Sequence, residues 1–248
     1  MVTFSHIYRG AEIIAATELF EHFHNPYILQ RYDSNFLQFK RMPELSEFTG
    51  AYEYLHNFHF ERGLHHVKFC FPQNEKPGEE LCQFFKQFEM STGSLELYQI
   101  QPEQFPEAVP HNDIQVETVN SLNFPVFSDL HYHQDLEFGA AFAKQKVEFN
   151  KKLFRDPDIE MVLAYYKGIP AGSVTAIRKK GIVEIDHLVV EDHLQRKGIG
   201  TRLQQHVMKQ FPDSTIILVA DGNDSVRDMY RKQNYQFKGF QVEAQKID

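Results

Sequence analysis

The sequence has few features of a secreted or membrane-bound protein. Its 248 residues include only two cysteines, Cys70 and Cys82, which form no CxxC motif and no Cys/His ligand spacing. The segment 1–10 lacks a basic stretch followed by an apolar run, and the longest apolar stretches, such as 216–220, have the length of a strand. We therefore expect a cytoplasmic protein with two reduced thiols, no membrane span and no metal.

Basic residues are scarce in the first half of the chain. The net charge is -8, and residues 1–113 carry 8 Lys and Arg against 16 Asp and Glu, whereas residues 114–248 carry 18 of each sign. Phosphate repels such an acidic half, so nucleic acid is an unfavourable partner and a cationic or amine substrate is favoured. An acidic surface that only keeps the protein soluble explains the same counts.

The composition and a proline-rich segment indicate two domains. Residues 101–112 contain three prolines and no apolar periodicity, which is typical of a linker. We therefore divide the chain into an N-terminal α/β domain at 1–100, a linker at 101–113 and a C-terminal domain at 114–248. Hydrophobic residues make up 42% of the chain, which is enough for a buried core.

The apolar spacing predicts an α/β fold with a mixed sheet, because helical and strand-like segments alternate along the chain. In the first half, Glu12–His22 has helical spacing. A series of strand, loop, helix and strand occurs once in each half. Its segments are 66–71, 72–80, 79–88 and 94–100 in the first half, and 183–190, 191–198, 199–211 and 215–220 in the second.

The first half is therefore either a degenerate copy of the second half or an unrelated α+β domain. Its loop at 72–80 contains three glutamates and one glycine, so it would repel a phosphate. If the repeat is real, only the second copy has a working anion site.

The loop of the second half is the most informative stretch of the sequence. Gly198 and Gly200 let the backbone approach a ligand closely, and the first turn of the following helix offers unpaired amides and the positive end of its dipole. Neither GxxxxGK[ST] nor GxGxxG is present, so a diphosphate is the expected ligand unless the glycines merely turn the chain. Three side chains add positive charge: Arg196, Lys197 and Arg202.

Two motifs carry a resemblance to a known family. Gln195, Gly198 and Gly200 match Gln/Arg-x-x-Gly-x-Gly/Ala at a strand-to-helix turn, and Asn223 is followed seven residues later by Tyr230. Residues 114–248 thereby resemble the GNAT (GCN5-related) N-acetyltransferases. The resemblance implies a GNAT-like acyl-CoA N-acyltransferase fold and direct transfer of acetyl from acetyl-CoA to an amine.

The second motif departs from the family at its end. The usual glycine and phenylalanine are replaced by Asn234 and Tyr235. Asn can adopt the left-handed turn that the glycine provides, and no catalytic group is lost.

The resemblance also implies an acetyl-CoA site. The backbone of 196–202 would hold the pyrophosphate, the strand end at 188–190 would pair with the pantetheine arm, and an amide near Val189 would stabilise the oxyanion. The implied cofactor-binding residues are Leu188, Val189, Val190, Gln195, Arg196, Lys197, Gly198, Ile199, Gly200, Thr201, Arg202 and Asn223.

Three residues are candidates for the chemistry. Tyr230 takes the place of the family's acid, and Glu184, eleven residues before Gln195, has the spacing of a glutamate base. Asp186 lies on the same strand face as Glu184, whereas His187 is expected on the opposite face. The alternatives are that Tyr230 only packs and that Glu184 is an exposed strand carboxylate.

The sequence is compatible with more than one activity, acyl donor and acceptor. The chain is either an N-acetyltransferase or a non-catalytic acetyl-CoA sensor or interaction protein, and another donor such as succinyl-CoA suits the same loop. The acceptor would be an amine-bearing small molecule or peptide, and a homodimer is allowed. The histidines at 65–66 and at 131 and 133 are expected to be solvated rather than metal ligands.

Overall fold

The computed structural model describes residues 1–107, 111–222 and 226–247. The chain folds into two compact units. The first comprises Met1–Leu97 with the described residues of 220–225 and 238–248, and the second comprises Tyr98–Val219 with 226–237. Both units combine helices with parallel and antiparallel strands, so the predicted α/β class is confirmed. The division into domains at 1–100 and 114–248 stays a prediction, and the end of the chain returns to the first unit.

The described helices and strands run as follows. The first part of the chain forms β1 (Glu12–Ala16), β2 (Phe20–His24), β3 (Phe36–Phe39), α1 (Leu45–Phe60), β4 (His66–Cys70), α2 (Glu79–Gln87) and β5 (Ser91–Ile100). The second part forms β6 (Ile114–Thr118), α3 (Phe124–Asp135), α4 (Ala140–Phe154), β7 (Ile159–Tyr166), β8 (Ile169–Lys179), β9 (Ile182–Val190), α5 (Ile199–Gln210), β10 (Thr215–Asp221), α6 (Val226–Lys232) and β11 (Gln236–Ile247). No helix in the described ranges is long and apolar enough to span a bilayer.

Each unit has its own strand order. In the first unit β1, β2 and β3 are antiparallel neighbours, β3 is parallel to β4, and β4 pairs antiparallel with β11. In the second unit β6, β7, β8 and β9 form an antiparallel series, and β9 is parallel to β10. The two tight turns of that series lie at 167–168 and 180–181, where all four residues have positive φ. Such turns suit short hairpins.

Aromatic rings dominate the core of the first unit. Phe48 of α1 is fully buried, and its ring centroid lies 4.9 Å from that of Phe69 and 5.3 Å from that of Phe85. Phe39 and Phe71 complete the cluster. Each buried aromatic side chain contributes a large apolar area, so this cluster holds α1 and α2 on the sheet.

Two elements of this unit differ from the sequence prediction. The predicted helix at Glu12–His22 is wrong, because the chain forms the hairpin of β1 and β2 there. The hydroxyl of Thr17 accepts hydrogen bonds from the amides of Leu19 and Phe20, at 3.1 and 3.0 Å, and this local turn replaces a helix. Helix α1 was not predicted, although the carboxylate of Glu47 accepts a hydrogen bond from the amide of Glu44 in a capping box.

Four histidines are buried within the first unit. The Nδ1 atom of His22 lies 2.9 Å from the hydroxyl of Tyr54, and the Nδ1 atom of His59 lies 2.6 Å from the carbonyl of His66. His24 is the fourth. Burial lowers the pKa of His22 to about 3. These rings are therefore neutral at pH 7.

Two histidines expected in solvent are buried instead. His66 is covered by the first unit and His131 by the second, so that expectation is wrong for them, whereas His65 and His133 are exposed. Their positions facing a sheet explain the difference, which local sequence does not reveal. Among the described residues, no three His, Cys, Asp or Glu side chains are arranged to hold a metal ion.

We expect the protein to lose stability in weak acid because of these histidines. A histidine in an unfolded chain has a pKa near 6.5, whereas burial lowers the pKa of His22 to about 3 and those of His59 and His66 to about 4. The unfolded chain therefore takes up protons first. Each buried histidine stabilises the fold fully above about pH 6.5, and the contribution declines as the pH falls toward 4, by on the order of 1–2 kcal/mol at about pH 5.

Urea unfolding at about pH 7.5 and about pH 5 measures this effect. The variant His22→Phe should lose less free energy of unfolding between the two pH values than the native protein does. The control His65→Gln, at an exposed site, should lose as much as the native protein. Equal losses in all three proteins would contradict the assignment.

Candidate functional site

The loop between β9 and α5 is held at both ends and exposed in the middle. Leu194 and Ile199 are buried, whereas residues 195–198 are exposed. The side-chain amide of Gln195 donates to Oδ1 of Asp192 at 2.9 Å. The loop backbone is thus fixed by its own side chains and faces solvent.

The backbone of this loop presents a run of unpaired amides. Arg196 has φ 60° and Gly198, which caps α5, has φ 87°. Within the described chain, the amides of residues 196–201 donate to no acceptor, and the first helical bond runs from Arg202 to Gly198. Six adjacent donors at a helix N-terminus form an anion-binding surface, and the exposed Arg196 and Lys197 add charge.

Strand β9 leaves part of one edge open beside this loop. Its ladder with β10 runs from the Ile182–Thr215 pair to the Ile185–Leu218 pair, although β9 continues to Val190. On its other side β9 stays paired with β8 as far as Val190. Residues 186–190 therefore have one backbone edge that β10 does not pair, in the middle of the sheet.

The pairing with β8 contains a β-bulge at this point. Ser173 faces Val189 and Thr175 faces Asp186, so two residues of β9 lie opposite one residue of β8. His187 has φ 49°, a conformation that is uncommon for a residue with a Cβ atom. A bulge locally raises the twist of a strand and re-aims its side chains.

The two predicted carboxylates differ in accessibility. Glu184 is 6% exposed and lies in the fully paired part of β9, opposite Ile177 on one side and Ile217 on the other. Asp186 is half-buried and follows the last pair with β10. Asp186 therefore lies at the start of the open edge, whereas Glu184 does not.

Tyr230 belongs to a cluster of tyrosines in the second unit. It is 8% exposed, and its ring centroid lies 5.8 Å from Tyr98 and 5.5 Å from Tyr235. The hydroxyl of Tyr235 donates to Gln204, whose amide donates to the carbonyl of Gly200. These contacts connect α6 to the first turn of α5, so Tyr230 is positioned relative to the loop.

The side chain of Arg202 is placed differently from the loop amides. The guanidinium of Arg202 donates to Gln205 at 3.1 Å and lines a groove of about 690 Å³ with Glu103 and Phe105. Asn223 lies outside the described residues. Leu188, Val189 and Val190 lie on the open edge, and Thr201 accepts a hydrogen bond from Gln233 of the segment after α6.

A pair of histidines next to the bulge was missed. His131 of α3 is 2% exposed, and its Nε2 atom lies 2.8 Å from Oγ of Ser173. Its ring centroid is 4.7 Å from that of His187. The ring of His187 therefore lies toward α3, on the side of the sheet that Ser173 faces. The bulge interrupts the alternation of side chains from which its orientation was predicted. The signal available for this pair was a histidine in a helix, His131, that faces a polar residue of a strand, Ser173.

Strand β8 approaches β9 closely at the bulge, and this approach needs a glycine at position 172. A Cβ atom at Gly172 would lie 2.6 Å from the carbonyl oxygen of Val189, whereas one at Gly200 would meet nothing nearer than 3.7 Å. We expect Gly172→Ala to lower the free energy of unfolding by about 2 kcal/mol. Gly200→Ala should leave it unchanged or raise it by up to about 1 kcal/mol. Thermal or urea unfolding measures both, and a neutral Gly172→Ala would contradict the close approach.

Two family models match parts of the chain. A family model described as "Acetyltransferase (GNAT) domain" matches residues 126–248, and one described as "Domain of unknown function (DUF5613)" matches residues 2–98. No curated protein matches the chain.

Solved structures are similar over most of the chain. A conserved protein of unknown function from Staphylococcus epidermidis is 30% identical, with a TM-score of 0.89 over 100% of this chain and 98% of that one. A GCN5-related N-acetyltransferase from Kribbella flavida is 14% identical, with a TM-score of 0.63 over 95% and 89%. A tandem GNAT protein from the clavulanic acid biosynthesis pathway is 10% identical, with a TM-score of 0.54 over 85% and 74%.

The last two likenesses concern the fold alone, and they extend over both halves of the chain. The GNAT match covers β7, β8, β9 and the loop whose amides are unpaired. Residues 126–248 are therefore a GNAT acetyltransferase domain.

Proposed function

We propose that the second unit binds acetyl-CoA and transfers its acetyl group directly to an amine. The proposal rests on the amides of 196–201, which donate to no acceptor among the described residues, beside the edge of β9 at 188–190 that β10 does not pair. A diphosphate satisfies the amides, and an extended amide-containing chain satisfies the strand edge. Acetyl-CoA contains both groups at neighbouring positions.

Each part of the cofactor has a set of partners in this proposal. The backbone of 196–201 holds the pyrophosphate, with Arg196 and Lys197 adding charge and Gln195 fixing the loop. Leu188, Val189 and Val190 pair with the pantetheine arm. Arg202 and Asn223 belong to the proposed ligands on the family resemblance, and the side chain of Arg202 lies toward the groove at 103–105.

The chemistry joins an amine nitrogen to the thioester carbon. The neutral amine attacks, an amide near Val189 stabilises the oxyanion, the C–S bond breaks, and the thiolate takes a proton from the phenol of Tyr230. The acylated nitrogen loses one proton, which returns through water to the phenolate of Tyr230. Asp186 or Glu184 binds the incoming ammonium or accepts its proton. Asp186 is the better placed of the two, because it borders the open edge.

The acceptor we propose is an amine-bearing small molecule or peptide in the cytoplasm, and not nucleic acid. The excess of 16 acidic over 8 basic residues in 1–113 supports a cationic acceptor. The alternative is that the unit holds acetyl-CoA without transfer, as a sensor or interaction protein. A different donor, such as succinyl-CoA, would use the same loop.

Acetyl-CoA affinity should depend on the left-handed residue at the cap of α5. Alanine at φ 87° costs about 1 kcal/mol, so Gly198→Ala should move the loop amides and weaken binding by about tenfold or more. Gly168→Ala is the matched control, because Gly168 has φ 79° in a turn outside the loop. Isothermal calorimetry measures both. Equal affinity in the two variants, or no affinity of the native protein for CoA, would remove the proposed site.

Transfer should depend on the hydroxyl of Tyr230. If that phenol supplies the proton, Tyr230→Phe should lower kcat by about a hundredfold and leave acetyl-CoA affinity within about twofold. Tyr235→Phe is the control, because it removes a neighbouring buried hydroxyl that bonds only to Gln204 in the described structure. The measurement is release of CoA thiol with a panel of amines.

The same assay separates the two candidate functions. Transfer at an unchanged rate in Tyr230→Phe would assign Tyr230 to packing. Binding of acetyl-CoA by the native protein without transfer to any amine of the panel would favour the sensor.

A further inference from the structure

We propose that His187 is the group that accepts the proton of the incoming ammonium, and that His131 positions it. This inference rests on the proposed acetyl transfer. It deepens that function by assigning the proton acceptor to an imidazole rather than to the carboxylates of β9.

The location of His187 favours this role. It lies in the bulge, one residue beyond Asp186, where β9 is no longer paired with β10. Its side chain is exposed, so an acceptor can reach it, whereas Glu184 is enclosed by paired strands. The imidazole is the side chain whose proton exchange falls nearest to neutral pH, which makes it an efficient general base.

His131 holds the ring of His187 from the protein side. Its own ring lies between Phe127, at 4.1 Å, and His187, at 4.7 Å, measured between centroids. A hydrogen bond joins its Nε2 atom to Ser173, whose side chain is fully buried. Burial lowers the pKa of His131 well below its usual value, so this ring stays neutral and does not repel a charged neighbour.

The backbone at His187 is in a costly conformation. A residue with a Cβ atom at φ 49° costs on the order of 1–2 kcal/mol, and such strain persists where the surrounding structure fixes it. The bulge and the adjacent, tilted ring of His131 supply that fixation. The cost is explained if the orientation of this ring matters for function.

Charged and titratable groups surround the pair on each packed element. His131 and Asp135 lie one turn apart on α3, and Lys146 of α4 is close enough to lower the pKa of His131. Asp186 precedes His187 on β9. Of these groups, His187 and Lys146 both lower the pKa of His131 by charge repulsion.

In the proposed step, His187 takes a proton from the ammonium and the amine takes the acetyl group. An N–H bond of the ammonium breaks and its proton moves to a ring nitrogen of His187, while the lone pair of the amine forms the C–N bond to the thioester carbon. The C–S bond then breaks, the thiolate takes the proton of Tyr230, and the phenolate of Tyr230 regains a proton, through water, from the second N–H bond that the acylated nitrogen gives up. His187 afterwards releases its proton to water. The net products are an N-acetylated amine, CoA thiol and one proton.

Chemical rescue tests this assignment. Glycine tolerates the left-handed backbone and leaves a space for imidazole, so His187→Gly should lower kcat/KM by about a hundredfold or more and regain activity when imidazole is added. His187→Asn keeps the backbone, because asparagine tolerates φ > 0, but should show the same loss without rescue. His133→Asn, at an exposed position of α3, is the control and should keep native activity.

A positioning role for His131 has its own signature. His131→Phe keeps a ring between Phe127 and His187 but loses the bond to Ser173. We expect a smaller fall in kcat, a shifted acidic limb in the pH profile of kcat/KM, and no rescue by imidazole. Thermal unfolding of each variant reports whether it is folded.

The outcomes separate this inference from the proposed function. If the native protein transfers acetyl groups and folded His187→Asn does so at the native rate and pH profile, His187 is not the proton acceptor and the proposed function stands. Failure of imidazole to restore folded His187→Gly overturns the assignment in the same way. If the native protein binds acetyl-CoA but transfers to no amine, both proposals fall.

Discussion

The early end of the ladder between β9 and β10 is the constraint on which the site depends. Backbone amides and carbonyls in the middle of a sheet are normally paired, because leaving them unpaired costs free energy. Here β10 does not pair with residues 188–190, and the amides of 196–201 donate to no acceptor within the part of the chain that the structure describes. The strand edge and the loop amides are adjacent along the chain, so together they suit an extended ligand that ends in an anion.

Local rules of chain conformation maintain this surface. Gly198 provides the left-handed turn that starts α5, Gly172 lets β8 approach the carbonyl of Val189, and buried Leu194 and Ile199 anchor the loop. The bulge at His187 completes the arrangement by turning a side chain toward α3. The site is thus formed by backbone geometry more than by charged side chains, which explains why few polar residues identify it.

The sequence determined the second unit well and the first unit less well. Strand β9 and helix α5 follow from apolar spacing and from the glycines of the loop between them, so they were predicted within a few residues. The error at Glu12–His22 arose because two short strands separated by a three-residue turn contain apolar residues at helical spacing. A side-chain hydroxyl, that of Thr17, decides between the two forms.

The sequence by itself predicted the strand-to-helix loop and the resemblance to the GNAT acetyltransferases, because glycine spacing at such a turn is a local property of the chain. Tertiary structure alone decided which groups meet that loop. The ladder between β9 and β10 ends at the pair of Ile185 and Leu218, which are 33 residues apart in the chain. The bulge and the burial of His131 likewise depend on β8 and α3, because register and packing are set by distant segments rather than by neighbours in the chain.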